Sequence, residues 1–284
     1  MDWEMGRWRV KDLLLDRFRL DGGAMFGVVP KTLWSVVFPP DEDNRISLVS
    51  RALLLEDGTR KILVDTGMGS RWSPRERERM GIDSSRSLQE ALAERSCVPE
   101  DITDVLLTHL HFDHAGGAVS CAADGSLIPT FPNAIHHVQR ANLEWARAPT
   151  ARDRGSYRPG DFEPLVKSGR VRLLDGPEEL FPGIQVRLSD GHATGLQIPV
   201  ISGGGSVLVY PADLVPTHAH LPLAWAMSYD LRPLQVLAEK QALLNQAVEE
   251  DWIVFYEHDP GLVASRVRLG SRGFVASEGV EMEA

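Results

Sequence analysis

The amino-acid sequence predicts an α/β fold in which two β-sheets are sandwiched between helical layers. Three observations carry that expectation. Strand-like apolar runs followed by helical spacing occur once in the first half of the 284 residues and again in the second. The apolar share of 43% and the charged share of 25% are those of an ordinary globular chain, which sets aside disordered, collagen-like and coiled-coil architectures. No low-complexity stretch, repeat or linker interrupts the sequence, so residues 1–284 are expected to form a single domain with a sizeable core.

Residues 22–40 are apolar but punctuated by Gly and Pro, fit neither a helical nor a strand period, and predict a loop carrying short pieces of structure. Ile46 to Leu55 and Lys61 to Val64 are strand-like, and the Asp57-Gly58 between them has the chemistry of a hairpin turn. Ser84 to Arg95 has helical spacing, with Leu88, Ala91 and Leu92 on one side and Arg86, Glu90 and Glu94 on the other. Asp104 to Thr108 reads as a short buried strand, and strand-like runs recur at Ala134 to Val138, Val171 to Leu174, Ile184 to Leu188, Gln197 to Ser202 and Ser206 to Tyr210. Gly203-Gly204-Gly205 precedes a strand rather than a helix, so it predicts a hairpin turn and not a phosphate cradle. A long helix is expected from Pro233 to Glu250, with Leu234, Leu237, Ala238, Leu244 and Val248 on its apolar face, followed by a buried strand at Trp252 to Tyr256.

Charge and cysteine content narrow the functional classes. A formal charge of -10 repels a phosphate backbone, so no nucleic-acid partner is expected. Cys97 and Cys121 lie in no CxxC pair or zinc-knuckle spacing and read as free thiols. The early apolar run Leu13 to Leu15 is flanked by Asp12 and Asp16, too short and too charged for an export signal or a membrane span. The expected location is the cytoplasm, without a membrane partner. The alternating charges of Arg75 to Arg79 read as a solvated face.

The chemistry is concentrated at Thr108 to Gly117, Thr-His-Leu-His-Phe-Asp-His-Ala-Gly-Gly, directly after a predicted strand. With nine histidines and twenty-one aspartates in the chain, an H-x-H-x-D-H pattern is expected by chance about 7 × 10⁻⁴ times. A strand end turning into a loop can aim His109, His111, Asp113 and His114 at one point, and imidazole and carboxylate are ligands that zinc takes. His192, Asp213 and His258 each follow a further predicted strand. Three protein ligands suffice for one catalytic zinc, so this surplus points to two divalent metal ions sharing a site. Zinc suits the donors, and manganese, iron, cobalt and nickel tolerate them.

These motifs resemble the metallo-β-lactamase superfamily of dinuclear metal hydrolases, in order from Leu63-Val64-Asp65-Thr66-Gly67 through His109–His114 to Asp190-Gly191-His192, Ala212-Asp213 and Glu257-His258. The resemblance implies a four-layer αββα sandwich with the metals at the edge between the sheets. It implies that His109, His111 and His192 hold one ion, that Asp113, His114 and His258 hold the other, and that Asp213 bridges them. Common class B lactamases carry Cys in place of Asp213. Flavodiiron relatives carry a carboxylate in place of His111. The spacing of Arg266, Arg268 and Arg272 differs from the basic patch of glyoxalase II relatives.

The fuller similarity is to N-acyl homoserine lactonase-like members, through His-Leu-His-Phe-Asp-His-Ala-Gly-Gly and, in a quorum-quenching subgroup, the motifs at 21–31 and 216–223. It implies hydrolysis of a small ester or lactone by a metal-bridging hydroxide. Phosphotriester or aryl-ester hydrolysis, and a metal-stabilised binding protein without activity, stand as alternatives. Asp113 is expected to move a proton to the leaving oxygen, and Asp65 to orient a ligand imidazole. Well-known lactonases place a Tyr three residues after the bridging Asp, where this chain has Pro216. His218 and His220, read as alternating on one side of an extended segment, are candidates for that role, as are Tyr210, Tyr229 and Tyr256. Met25, Phe26, Trp34 and Phe38 make residues 20–45 an apolar loop expected to cover substrate or to form a homodimer contact. His136 and His137, adjacent in a strand, must face opposite ways and are expected to be structural.

Overall fold

Strands that are apolar on both faces have to be covered on both faces, and the architecture follows from that requirement. The computed structural model describes residues 2–83 and 86–279. From the N-terminus, β1 (Asp2–Met5) and β2 (Trp8–Asp21) lead into the short helices α1 (Gly22–Phe26) and α2 (Lys31–Val37), then β3 (Arg45–Glu56) and β4 (Lys61–Val64). Helices α3 (Pro74–Met80) and α4 (Leu88–Ala93) precede β5 (Asp104–Leu106), α5 (Phe112–Ala115), the ribbon β6 (Val119–Cys121) and β7 (Leu127–Pro129), and β8 (Ile135–Gln139). Helices α6 (Arg140–Arg147) and α7 (Pro159–Lys167) and strand β9 (Val171–Leu174) complete the first half. The second half runs β10 (Glu178–Phe181), β11 (Ile184–Ser189), β12 (Leu196–Gly203), β13 (Ser206–Val209), α8 (Pro233–Glu249), β14 (Ile253–Phe255), β15 (Ala264–Gly270) and β16 (Gly273–Gly279).

Two seven-stranded sheets result, in the orders β1-β2-β3-β4-β5-β8-β9 and β10-β11-β12-β13-β14-β15-β16. Alternation along the central strands divides the core. Leu53, Leu55, Ile62, Val64 and Leu106 pack between the sheets, against residues such as Ile184, Val200, Leu208 and Val254. Ala52, Leu54, Leu63 and Val105 face the other way, against Ala91 and Leu92 of α4, Leu143 of α6 and Phe162 of α7. Val236, Leu243, Leu244 and Ala247 of α8 cover the second sheet. This is the αββα sandwich.

Most predicted strands and the 203–205 hairpin are present. Gly204 and Gly205 take φ of +62° and +82°, the two positive values that a tight hairpin turn needs. The expected short pieces of structure within 22–40 are two short helices, the first capped by the Asp21 carboxylate on the Ala24 amide. Two expectations are corrected. The 84–95 helix is observed as Leu88–Ala93, closed by a Ser87–Glu90 capping box, while residues 84 and 85 lie outside the described residues. On α8 the buried face is Val236, Lys240, Leu243, Leu244 and Ala247, whereas Leu234 is 84% exposed.

The site is positioned by strand direction. β4 and β5 are parallel neighbours in one sheet and β13 and β14 in the other, so the loops leaving their carboxyl ends gather at one edge. β11 is antiparallel to β12, which is antiparallel to β13, so the loop after β11 emerges at the same edge. There the turn after β4 is locked against α5. The Thr66 amide and hydroxyl both donate to the His114 carbonyl at 2.8 Å, and a Cβ on Gly117 would lie 2.1 Å from the Thr66 carbonyl oxygen. Only glycine permits that approach.

Candidate metal centre

Each polar residue at this edge sits where a strand ends. Asp65 follows β4 at a strained φ of +58°, His109 to His114 follow β5, His192 follows β11, Asp213 follows β13 and His258 follows β14. His109, His111, Asp113, His114, His192, Asp213 and His258 are all buried. The structure gathers them into two groups of donor atoms, His109, His111, His192 and Asp213 in one and Asp113, His114 and His258 in the other. Asp213 lies between them. Its Oδ2 is 3.0 Å from His192 Nε2, 3.5 Å from His114 Nε2 and 3.8 Å from His109 Nε2, and its Oδ1 is 3.2 Å from His258 Nε2.

The far side of each ring decides which nitrogen is left for an ion. His114 Nδ1 is 2.9 Å from Asp65, His192 Nδ1 is 2.9 Å from Asp230 and His258 Nδ1 is 2.8 Å from the Val49 carbonyl. An acceptor there requires the hydrogen on Nδ1, which leaves the lone pair on Nε2. The Nε2 atoms of His114 and His258 lie 3.3 Å apart, close enough to share one proton or to face a single cation. His109 Nε2 and Asp213 Oδ1 are buried with no hydrogen-bond partner. Orphaned donor atoms of this kind, on imidazole and carboxylate, fit one or two divalent ions.

The charges follow the same layout. Burial and then the surrounding imidazoles hold His109 and His111 well below the usual histidine range. For Asp213, burial pushes the carboxyl up, but His192 and His114 overcome it and hold the group well below the carboxylate range. Burial carries the Glu257 carboxyl up to about 7, against the opposing pull of His114.

Above the floor formed by His111, Asp113, His192, Asp213 and His258 opens a cavity of about 480 Å³. Phe18, Met25, Leu48, Phe112 and Met227 give it an apolar wall, and Arg19, Arg45, Arg79 and Arg152 stand around it. From the 20–45 segment, Met25 reaches the cavity. Phe26 and Trp34 stack on each other at 5.4 Å and pack with Phe38 in a cluster beside it.

His218 and His220 do not join the cavity wall. They lie on a short 3₁₀ turn, His218–His220, rather than an extended segment. His220 spends both nitrogens on the Thr217 hydroxyl and the Met25 carbonyl while stacked on Phe26, and His218 bonds the Asp259 carboxylate. These bonds hold both side chains away from the cavity lining, where a helper for the reaction was expected. Tyr210 donates to the Arg51 carbonyl and Tyr256 pairs with Ser265, so Tyr229 is the one of those three on the cavity wall. His136 and His137 face opposite ways, toward the Arg170 carbonyl and toward Asp104.

Sequence reasoning missed Asp230 behind His192, Glu257 beside His114, and Tyr157, whose ring meets His111 edge-on at 4.7 Å. Asp230 and Tyr157 carry no pattern in the sequence that ties them to the site. Glu257 could have been found, since it immediately precedes His258 at the end of a buried strand.

The chain is similar to several known proteins. The chain is 29% identical over 229 residues to an N-acyl homoserine lactonase of Bacillus cereus, covering 76% of this chain and 83% of that one. A probable metal-dependent hydrolase from Staphylococcus aureus superposes with a TM-score of 0.87 at 30% identity, over 98% of this chain and 100% of that one. AidC, a dizinc quorum-quenching lactonase solved with its product, shares the fold with a TM-score of 0.82 at 22% identity, over 100% and 98% of the two chains. The family pattern of the metallo-beta-lactamase superfamily matches residues 47–258, most of the chain and the span in which the seven gathered side chains lie, and the protein belongs to that superfamily of metal-dependent hydrolases.

Proposed function

We propose that this chain is a dinuclear hydrolase that opens the ring of N-acyl homoserine lactones or related lactones. The observation that carries the reading is the pairing of two donor groups with an apolar cavity directly above them. His109, His111 and His192 would hold one ion, Asp113, His114 and His258 the other, and Asp213 would be shared. When bound, two such ions supply Lewis acidity and lower the pKa of a coordinated water from its bulk value toward about 7. Nitrogen and oxygen donors of this kind suit zinc.

The chain's own residues do the remaining work. Asp65, Asp230 and the Val49 carbonyl fix three imidazoles in the tautomer that presents Nε2. Asp113 lines the cavity and can carry a proton to the leaving oxygen. Tyr229 offers a hydroxyl from the cavity lining. Burial, with Asp21, Asp113 and Asp213 nearby, raises its phenol above the ordinary value, so it acts as a hydrogen-bond donor and not as a base. Phe18, Met25, Leu48 and Met227 supply a dry surface for an acyl chain. The relative from Bacillus cereus, named as an N-acyl homoserine lactonase, supports the same substrate class.

The test is turnover by the metal-replete protein on acyl homoserine lactones of graded tail length, beside a paraoxon-like triester and an aryl ester. Lactone opening with the highest kcat/KM of the panel is expected. Preference for the triester or aryl ester would replace the substrate, and inertness toward all of them would mark a metal-stabilised binding protein.

A further inference from the structure

Behind the candidate centre, two carboxylates crowd one imidazole. His114 Nδ1 lies 2.9 Å from Asp65 and 3.2 Å from Glu257 Oε2. The ring has a single hydrogen to give on that side, and Asp65 is the better placed to receive it. Asp65 also accepts the Thr108 amide and hydroxyl, each at 2.7 Å, so it is fully engaged and sufficient to orient the ring. Glu257 is 1% exposed, and neither of its carboxylate oxygens has a hydrogen-bond partner. A buried carboxylate left in that state is costly unless a positive charge lies close by.

The two halves of the centre are unequal in this respect. Behind His192 stands one carboxylate, Asp230, which also receives the Met227 amide. Thr108 places only a hydroxyl 3.1 Å from His109 Nδ1. On the other side, Asp113 is itself a carboxylate donor, and Glu257 adds a second buried carboxyl group beside His114 whose oxygens form no well-aligned hydrogen bond.

We propose that Glu257 is a buried counter-charge for the ion held by Asp113, His114 and His258, and that it makes this position the tighter of the two. The proposal rests on the reading that these residues hold a metal, and it is independent of which ester or lactone is hydrolysed. Glu257 acts through His114 and through space, as a positioning and charge-balancing residue. Its removal has opposite consequences with and without metal, since a second buried carboxyl group crowded against Asp65 burdens the empty fold and its charge favours the occupied one.

The experiment strips the full-length protein with a chelator and reloads it with zinc in competition with a chromogenic chelator. It compares the wild type with Glu257→Gln, Glu257→Asp and Asp230→Asn, and records the melting temperature of each, stripped and loaded. The wild type is expected to take up two ions in two resolved steps. Glu257→Gln weakens the tighter step tenfold or more and leaves the weaker step within twofold, while its stripped form melts no lower than stripped wild type. Glu257→Asp restores most of the tight step, and Asp230→Asn moves the weaker one. An unchanged tight step in Glu257→Gln, or a stripped Glu257→Gln protein that loses as much melting temperature as the loaded one, overturns the proposal in favour of a packing role. A wild type that retains no ion overturns the metal reading beneath it. Two bound ions without lactone turnover leave the inference standing and remove only the substrate assignment.

Discussion

Tyr229 shows how much of the proposed chemistry comes down to single side chains. Its hydroxyl shares the cavity with Asp113 and Asp213, while Pro216 occupies the place where a lactonase tyrosine is expected. If the hydroxyl donates to the substrate only as charge develops on oxygen, Tyr229→Phe lowers kcat about tenfold with KM nearly unchanged, a loss of about 1.4 kcal/mol of transition-state stabilisation. Steady-state kinetics on a single lactone separate this from a packing role, which would raise KM instead. The candidate ligands were legible in the sequence because four of them fall within six positions and the others leave strand ends. Asp230 was not, since it reaches its imidazole through the fold and the chain spacing carries no trace of it, whereas Glu257 adjoins His258 and only its approach to His114 was hidden. His218 and His220 lie off the cavity for the converse reason. Their nearness to Asp213 in sequence says nothing of direction, and a 3₁₀ turn sends them to Asp259 and Met25 instead of the cavity.

Among the elements, the ones that announce themselves have unbroken periodicity or turn chemistry, such as β3, β4 and the Gly204-Gly205 hairpin. The 14-residue β2 does not, because its register against β3 shifts between Leu14 and Asp16 and a bulge resets the alternation that would reveal it. On α8, the lysine hid the true face. Lys240 is fully buried, and its ammonium donates to the carbonyls of His220, Pro222 and Trp225 at 3.0, 3.2 and 2.8 Å. Burial draws its pKa down to about 8, against the charge of Asp230. The helix thereby grips the segment that carries Met227, Tyr229 and Asp230. Lys240→Met fills the volume but abandons three buried carbonyls, and at about 1 kcal/mol each the unfolding free energy falls by about 3 kcal/mol. Denaturant unfolding measures that loss. Lactone kinetics should show KM rising as the cavity wall loosens, whereas an unchanged KM would mean that α8 supports the fold without shaping the site.

At the scale of the whole molecule, acid response tests whether the sandwich is held as the packing suggests, because the first sheet buries a histidine far from the candidate metal centre. His136 is fully buried between β5 and β9, with Nδ1 3.2 Å from the Arg170 carbonyl, and burial lowers its pKa to about 4 from 6.5. The unfolded chain therefore binds a proton below pH 6.5 that the folded chain refuses until about pH 4. Where the unfolded state holds more protons, stability rises with pH. The sandwich should keep its full stability above pH 6.5 and lose up to about 3 kcal/mol to this residue as pH falls toward 4. Other groups also contribute to the acid response, so the informative quantity is the difference between wild type and His136→Gln. The variant forfeits the packed imidazole at neutral pH but owes nothing to its protonation in acid. Its unfolding free energy, measured by denaturant at several pH values, should fall less steeply than that of wild type between pH 6.5 and 4. Parallel slopes would mean that acid opens the molecule elsewhere, at the gathered imidazoles and carboxylates, before the first sheet yields.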